Sequence, residues 1–257
     1  MEVRMLPESP SFRLDGLRAL VTGASKGIGR GGAVALARAG AAVTMVARSG
    51  DELAETAAAL RAEGLAAEAH ALDVTDRAAV RALLAGAGRF DILLNNAGTN
   101  IREPFLEVQD ESLDALLDLN IRAMFTVAKA VAAGMVEGGR GGSIINLSSI
   151  NGHVAGLNRS VYTATKHAVE GMTKAMATEL GPHGIRVNAI APGFVETPLT
   201  AGVLSDPKFR ASQVRRMPMG RIMTVEDIMG GIVFLAAPAS AMVSGLSLVI
   251  DGAFLTQ

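Results

Sequence analysis

The chain contains one tyrosine, Tyr162, and a lysine stands four residues after it, Lys166, one of only five lysines in 257 residues. On a helix, positions i and i+4 share a face. An ammonium beside a phenol favours the tyrosinate and lowers a pKa that starts near 10, which makes the pair a workable general acid/base near neutral pH. Ser149 precedes the tyrosine by 13 residues and could hydrogen-bond and orient a substrate oxygen; Ser148 is its neighbour. Taken alone, the pair could also be a buried tyrosine at a helix start with a solvated lysine. A second motif bears chemistry of another kind. Thr22-Gly23-Ala24-Ser25-Lys26-Gly27-Ile28-Gly29 follows a short apolar run and opens a helix. Glycine there lets the backbone turn sharply and approach a pyrophosphate, whose charge the helix N-terminus favours.

These residues need a scaffold, and the order of apolar runs supplies one. Arg18–Thr22, Ala42–Ala47, Glu68–Leu72, Ile92–Leu94, Ser143–Leu147, Arg186–Ile190 and Ser247–Ile250 read as seven strands. Between them, Gly29–Ala39, Asp51–Glu63, Ala78–Ala85, Leu113–Val136, Tyr162–Leu180 and Val225–Leu235 read as helices. Most strands are apolar without alternation, as in a parallel sheet covered on both faces. The expected fold is therefore α/β: a single-domain Rossmann fold with a doubly wound, seven-stranded parallel sheet. Gly31 and Gly32 fall inside the first helix, where each costs about 1 kcal/mol relative to alanine, so close packing is expected there.

Composition narrows the function. Hydrophobic residues make up 49% and charged residues 19%, which excludes disorder for most of the chain. A net charge of −1 argues against nucleic acid as a partner. With no cysteine there is no disulfide, thiolate metal site or cysteine nucleophile. The four histidines, at 70, 153, 167 and 183, lack ligand spacing, so no metal is expected. Residues 1–13 form an N-terminal arm, read as a loose tail or a contact with a partner subunit, and residues 14–257 form the domain. The arm lacks the apolar run of a signal peptide, and a cytoplasmic location is expected. Met229–Ile250 is uncharged and long enough to span a bilayer. Its glycines, serines and Pro238 instead predict a short helix, a turn and a strand, with no membrane partner.

The ordered motifs resemble the classical short-chain dehydrogenase/reductase family over essentially the whole chain after residue 14. The glycine turn, Asn95-Asn96-Ala97-Gly98 after the fourth strand, Tyr162-Thr163-Ala164-Thr165-Lys166, Ser149, Asn120 and Pro192-Gly193 with Thr197 carry the likeness. The resemblance implies a nicotinamide oxidoreductase that interconverts a ketone and a secondary alcohol, with Asn120, Ser149, Tyr162 and Lys166 as the catalytic set. Asn120 would anchor a water connecting Lys166 to solvent, although it could also serve only the local backbone. The implied cofactor residues are Gly23, Ser25, Lys26, Gly27, Ile28, Gly29, Arg48, Ser49, Asp73, Val74, Asn96, Ala97, Gly98, Tyr162, Lys166, Pro192, Gly193, Val195 and Thr197. Asp73 could instead cap the next helix.

The end of the second strand bears on which cofactor. Ala47 occupies the position where an acidic residue would bind a free ribose hydroxyl, and Arg48 follows it. A guanidinium there, with Lys26, can pair with a 2′-phosphate, so NADP(H) is expected; both cations could also be simply solvated. Ile150–Val161, with Asn151, His153, Asn158 and Arg159, should border the substrate, and its polarity suits a hydroxylated or anionic molecule. The segment from Glu196 to Arg221 is similar to gluconate- and sugar-dehydrogenase members. A reductase of 3-oxoacyl groups on acyl carrier protein, a broad carbonyl reductase and a catalytically silent NADP(H) sensor are the alternatives. An enoyl reductase would space its tyrosine and lysine further apart. The family ends Asp-Gly-Gly where this chain has Asp251-Gly252-Ala253, so a slightly different final turn is expected. Relatives usually form homotetramers, and a homotetramer or homodimer is expected here.

Overall fold

A computed structural model describes residues 7–256. Seven strands form one parallel sheet in the order β3-β2-β1-β4-β5-β6-β7. They are β1 Arg18–Thr22, β2 Ala42–Ala47, β3 Ala67–Ala71, β4 Ile92–Asn95, β5 Gly142–Leu147, β6 Ile185–Pro192 and β7 Ser247–Ile250. The chain begins at the centre, winds out to β3, and returns to lay β4 beside β1. That reversal opens a crevice at the C-terminal ends of β1 and β4, where open α/β sheets bind ligands.

The sheet is covered on both faces, and the strands divide their side chains accordingly. Ala19 and Val21 of β1, with Ile92 and Leu94 of β4, pack beneath α1 (Gly27–Arg38), α2 (Gly50–Ala62) and the later helix α9 (Glu226–Ala236). Leu20 and Leu93, one residue out of phase, face the opposite layer. There they meet α3 (Arg77–Ala87), α5 (Met124–Gly138) and α6 (Ser160–Leu180). Both phases of a strand are buried, which is why these strands read as unbroken apolar runs. Burying a leucine such as Leu93 contributes about 2 kcal/mol.

The helical glycines have the expected explanation. A Cβ on Gly31 would lie 2.1 Å from Val225, and one on Gly32 would lie 2.3 Å from Leu94 of β4. Their absence of side chain lets α1 seat between the sheet and α9. On the same face, Arg186 of β6 donates to the carbonyls of Leu235, Ala236 and Ala237, satisfying the C-terminal end of α9.

Several elements differ from expectation. The long middle helix is interrupted: α4 (Asp110–Leu117) and α5 are joined by a π-helical segment, Asp118–Ala123. Two short helices, α7 (Pro198–Leu204) and α8 (Pro207–Arg215), fill the stretch after β6. Their strong local proline starts carry no apolar periodicity. Part of the N-terminal arm is not loose: the Ser11 carbonyl accepts from the Ala239 amide at 3.0 Å, and the Phe12 ring lies 6.4 Å from Phe234. Residues 1–6 of that arm lie outside the described residues. Met229–Ile250 resolves into the end of α9, a 3-10 turn and β7. By length and composition alone, Asp110–Gly138 is apolar enough to cross a membrane, and its Leu116, Met124, Val127 and Met135 are buried.

Candidate active site

Two ties hold the crevice open at its centre. The Thr22 hydroxyl accepts from the amides of Asn96 and Ala97, both at 3.0 Å. The Asn96 amide side chain donates back to the Thr22 and Gly23 carbonyls at 2.9 and 3.1 Å. Asn96 thus fastens the end of β4 to the end of β1. The glycines of the turn leave no room for side chains: a Cβ on Gly29 would stand 2.2 Å from the Gly23 carbonyl oxygen and 2.4 Å from Asn96 Nδ2. Gly23 takes a φ of 64°, a left-handed conformation that glycine adopts without strain. No side chain caps the start of α1, so its first-turn amides face the crevice.

The resulting cleft has a volume of about 450 Å³. Its wall contains Gly23, Ser25, Lys26, Gly27, Ile28, Gly29, Arg48, Ser49, Asp73, Val74, Asn96, Ala97, Gly98 and Thr197. Ala47, already noted at the end of the second strand, joins Leu72, Thr99, Leu119, Leu147, Pro198 and Leu199 to complete it, and these last six carried no sequence signal of their own. Lys26 and Arg48 are both exposed at one end. Asp73 accepts from the Thr75 amide and hydroxyl at 2.9 and 2.8 Å. Partial burial pulls its pKa upward, but these bonds and the Arg48 charge outweigh that and hold it below the usual carboxylate value. Asp76, rather than Asp73, caps α3. An open backbone cradle, a bare helix N-terminus and two exposed cations at the ribose end suit a dinucleotide with a 2′-phosphate.

Of the residues expected to touch the cofactor, Tyr162, Lys166, Pro192, Gly193 and Val195 lie off this wall. Val195 is buried in the core and bridges to Met223, so its side chain is spent on packing; Gly193 lies against Asp251.

The catalytic candidates gather beside Leu147, a residue of the cleft wall whose carbonyl Lys166 bonds. Lys166 is buried on α6 and donates from Nζ to the Leu147 carbonyl at 2.7 Å. Burial drives its pKa down to about 8, with the nearby Glu170 carboxylate pulling the other way. Lys166 Nζ lies 5.6 Å from the Tyr162 ring centre. The Ser149 hydroxyl accepts from the Asn151 amide at 3.1 Å and is near enough to the Tyr162 phenol to pull that group's pKa downward. Ser148 Oγ, next to it in sequence, is buried without a hydrogen-bond partner.

The tyrosine departs from expectation. Burial holds its pKa above the ordinary value, offset in part by the Ser149 hydrogen bond and then by the Arg159 charge. The Arg159 guanidinium three residues upstream, which the spacing of Tyr162 and Lys166 did not indicate, is a cation that favours its ionisation. A phenol held protonated is suited to giving a proton to an alkoxide as it forms.

Asn120 is fully buried at the π-helical segment. It donates to the Thr99 carbonyl and accepts from the Thr99 amide, both at 2.9 Å. It also donates to Thr165 at 3.2 Å, and Thr165 in turn donates to the Tyr162 carbonyl at 2.7 Å. Its side chain thus braces the turn of α6 that carries both Tyr162 and Lys166.

The substrate candidates divide. Arg159 faces the tyrosine. His153 turns towards β7, with Nε2 2.9 Å from the Ser247 hydroxyl and 3.5 Å from Glu170. Asn151 is buried against Gly156. Asn158 is exposed in a left-handed conformation, and its carbonyl accepts from the Glu103 amide. That last bond places Arg102 at the same end of the site, a residue in a loop without periodicity that the sequence did not single out.

This assembly of a doubly wound sheet, a glycine cradle and a serine–tyrosine–lysine cluster defines a nicotinamide-dependent oxidoreductase. The chain belongs to the short-chain dehydrogenase/reductase family. Residues 23–254 match the family described as enoyl-(acyl carrier protein) reductase. The four-residue step from Tyr162 to Lys166 departs from the longer spacing expected of an enoyl reductase, and named relatives act on other groups. D-Erythrulose reductase of Gallus gallus is 42% identical over 248 residues, covering 96% of this chain and 99% of that protein. Gluconate 5-dehydrogenase of Gluconobacter oxydans (strain 621H) is 42% identical over 245 residues, covering 94% and 95%. A solved gluconate 5-dehydrogenase from Burkholderia cenocepacia J2315, in complex with NADP and tartrate, superposes with a TM-score of 0.92 at 39% identity, covering 96% and 98%. The chain is an NADP(H)-dependent oxidoreductase acting on CH–OH groups.

Proposed function

We propose that Tyr162 is the general acid/base for this ketone–alcohol interconversion and that Ser149, Lys166 and Asn120 serve it. The observation that carries the reading is the gathering of Ser149, Tyr162 and Lys166 beside Leu147 of the cleft wall, with Lys166 bonded to the Leu147 carbonyl and Ser149 acting on the Tyr162 phenol. When bound, NADPH supplies the hydride. Gly23, Gly27 and Gly29 give its pyrophosphate close access to backbone, and Lys26 and Arg48 neutralise its 2′-phosphate. Ser149 donates to the carbonyl oxygen of the substrate and orients it. Tyr162, protonated at neutral pH, delivers its proton to that oxygen as negative charge develops; in oxidation it takes the proton back. Lys166 holds positive charge next to the phenol below about pH 8. Asn120 keeps the supporting turn of α6 in place and anchors the water through which Lys166 exchanges protons with solvent. Family likeness alone supports the further reading of a cytoplasmic homotetramer or homodimer, which a mass measurement in solution tests for assembly.

The decisive experiment follows NADPH absorbance during reduction of a sugar-derived ketone. Tyr162→Phe should lower kcat by about 10³-fold, within the range for removing a general acid, while NADPH affinity changes less than threefold. Undiminished turnover in that variant would refute the assignment.

A further inference from the structure

Two arginines stand at the substrate end of the site without a carboxylate to pair with. Arg159 is half-buried at the start of α6, three residues before Tyr162. Its guanidinium lies 5.5 Å from the centre of the Phe194 ring. Arg102 is exposed on the loop after β4, and its guanidinium lies 5.9 Å from the centre of the Phe209 ring. The two rings pack edge to face with centres 5.8 Å apart, and the Glu103 amide to Asn158 carbonyl bond, 3.1 Å, clips the two loops together. Among the described residues, neither guanidinium has a hydrogen-bond or ion-pair partner. Arg159 is held below the ordinary arginine pKa by burial and then by the charge of Arg102.

A partly desolvated cation beside a like charge is an unfavourable arrangement in isolation. Other arginines of this molecule show the usual solution: Arg210 bonds Glu196, Arg221 bonds Asp227 and Arg38 bonds Glu63. Arg102 and Arg159 lack that solution at the one place where a substrate must lie, beside the phenol that meets its oxygen. Planar guanidiniums on aromatic rings are stiffened supports with their N–H groups left to donate, and the N-terminus of α6 adds to the positive potential.

We propose that Arg102 and Arg159 form a clamp for a carboxylate on the substrate, so that the enzyme acts on sugar acids in preference to the neutral sugars and polyols of the same length. The proposal rests on the assignment of Tyr162 as proton donor, because that assignment places the substrate next to Arg159. The clamp would fix one end of the molecule and thereby choose which carbon faces Ser149 and Tyr162.

The test compares aldonates with alditols of matched length and configuration, D-gluconate against D-glucitol among them, as substrates with NADP. The wild-type kcat/KM for the acid should exceed that for the alcohol by tenfold or more, and rising salt should erode that preference. Arg159→Leu and Arg102→Leu should each bring the ratio towards one, chiefly through KM for the acid, and Arg159→Lys should restore part of it. Because Arg102 is exposed, its variant tests the clamp without a folding penalty. A wild type that prefers alditols, or variants that keep the acid preference, would overturn the proposal. If no compound in either series is turned over, the sugar-like reading of the substrate fails while the clamp is still decided by calorimetry. Tartrate should bind the NADP complex of the wild type at least tenfold tighter than that of Arg159→Leu, and equal or absent binding would overturn the clamp.

Discussion

The two ends of the cleft recognise their ligands by different means. At the β1–β4 end the work falls to backbone shape: Gly23 and Gly29 pack so closely against Asn96 and the turn itself that no Cβ fits, and Asn96 holds the two strand ends together. At the β5–β6 end the backbone only carries side chains, and charge placement decides. Arg159 acts on Tyr162, Glu170 acts on Lys166, and aromatic rings support the guanidiniums. Shape built from missing atoms tolerates almost no substitution and leaves a fixed motif. Charge delivered on long side chains can come from many positions, so the same family can change substrate while keeping its cofactor cradle.

That contrast can be broken by Gly29→Ala. The added methyl would lie 2.2 Å from the Gly23 carbonyl, and NADPH binding should fall by more than 10²-fold in a fluorescence titration, with a lowered Tm. An alanine variant that binds normally would show that backbone approach is not what the cradle provides. Charge also enters at the cofactor end, through Arg48. Arg48→Ala should weaken NADPH by roughly 10- to 100-fold, the range for a lost charge-assisted hydrogen bond, and leave NADH within threefold. Equal losses for both would move Arg48 from phosphate recognition to folding.

The substrate end should answer to pH. Lys166 is charged below about 8 and neutral above it, and the Glu170 carboxylate is what keeps that value from falling further. Reduction should therefore decline as pH rises through about 8. In Glu170→Gln the decline should move to lower pH by roughly half to one unit, visible in kcat/KM against pH. An unmoved limb would dismiss Glu170 as a determinant of the lysine. The smallest effect comes from a backbone change placed in the side-chain half. Ala253 has a φ of 68°, a conformation costly to alanine and free to glycine. Ala253→Gly should raise stability by about 0.5–1 kcal/mol and Tm by about 1–3 °C, and a lower Tm would mean that the methyl is needed for packing.

Legibility in the sequence follows the same divide. The seven strands, the cradle and the serine–tyrosine–lysine set were readable because each obeys a local rule: buried parallel strands are apolar in both phases, close approach demands glycine, and helix spacing brings i and i+4 together. The short helices α7 and α8, starting at Pro198 and Pro207, escaped because their packing faces have no period. Arg102 escaped because it reaches the site through a loop clip from Glu103 to Asn158, a long-range contact with no mark in the residues around it. His153 belongs to the polar segment expected to border the substrate, yet Ser247, 94 residues away, claims its ring nitrogen. The sign of the tyrosine shift depended on burial, which spacing does not report.

The π-helical segment at Asp118–Ala123 leaves one more mark on the molecule. A single extra residue in a helix advances everything beyond it by about 100°. The two halves flanking Asn120 are therefore out of phase, like a screw whose thread has been recut midway. Leu116 on one side and Met124, Val127 and Val131 on the other are still buried, because the apolar stripe was written with the slip included. Deleting one residue there would straighten the helix and rotate one half's stripe away from its neighbours, so the odd turn that carries the asparagine is also the reference from which the packing of both halves is set.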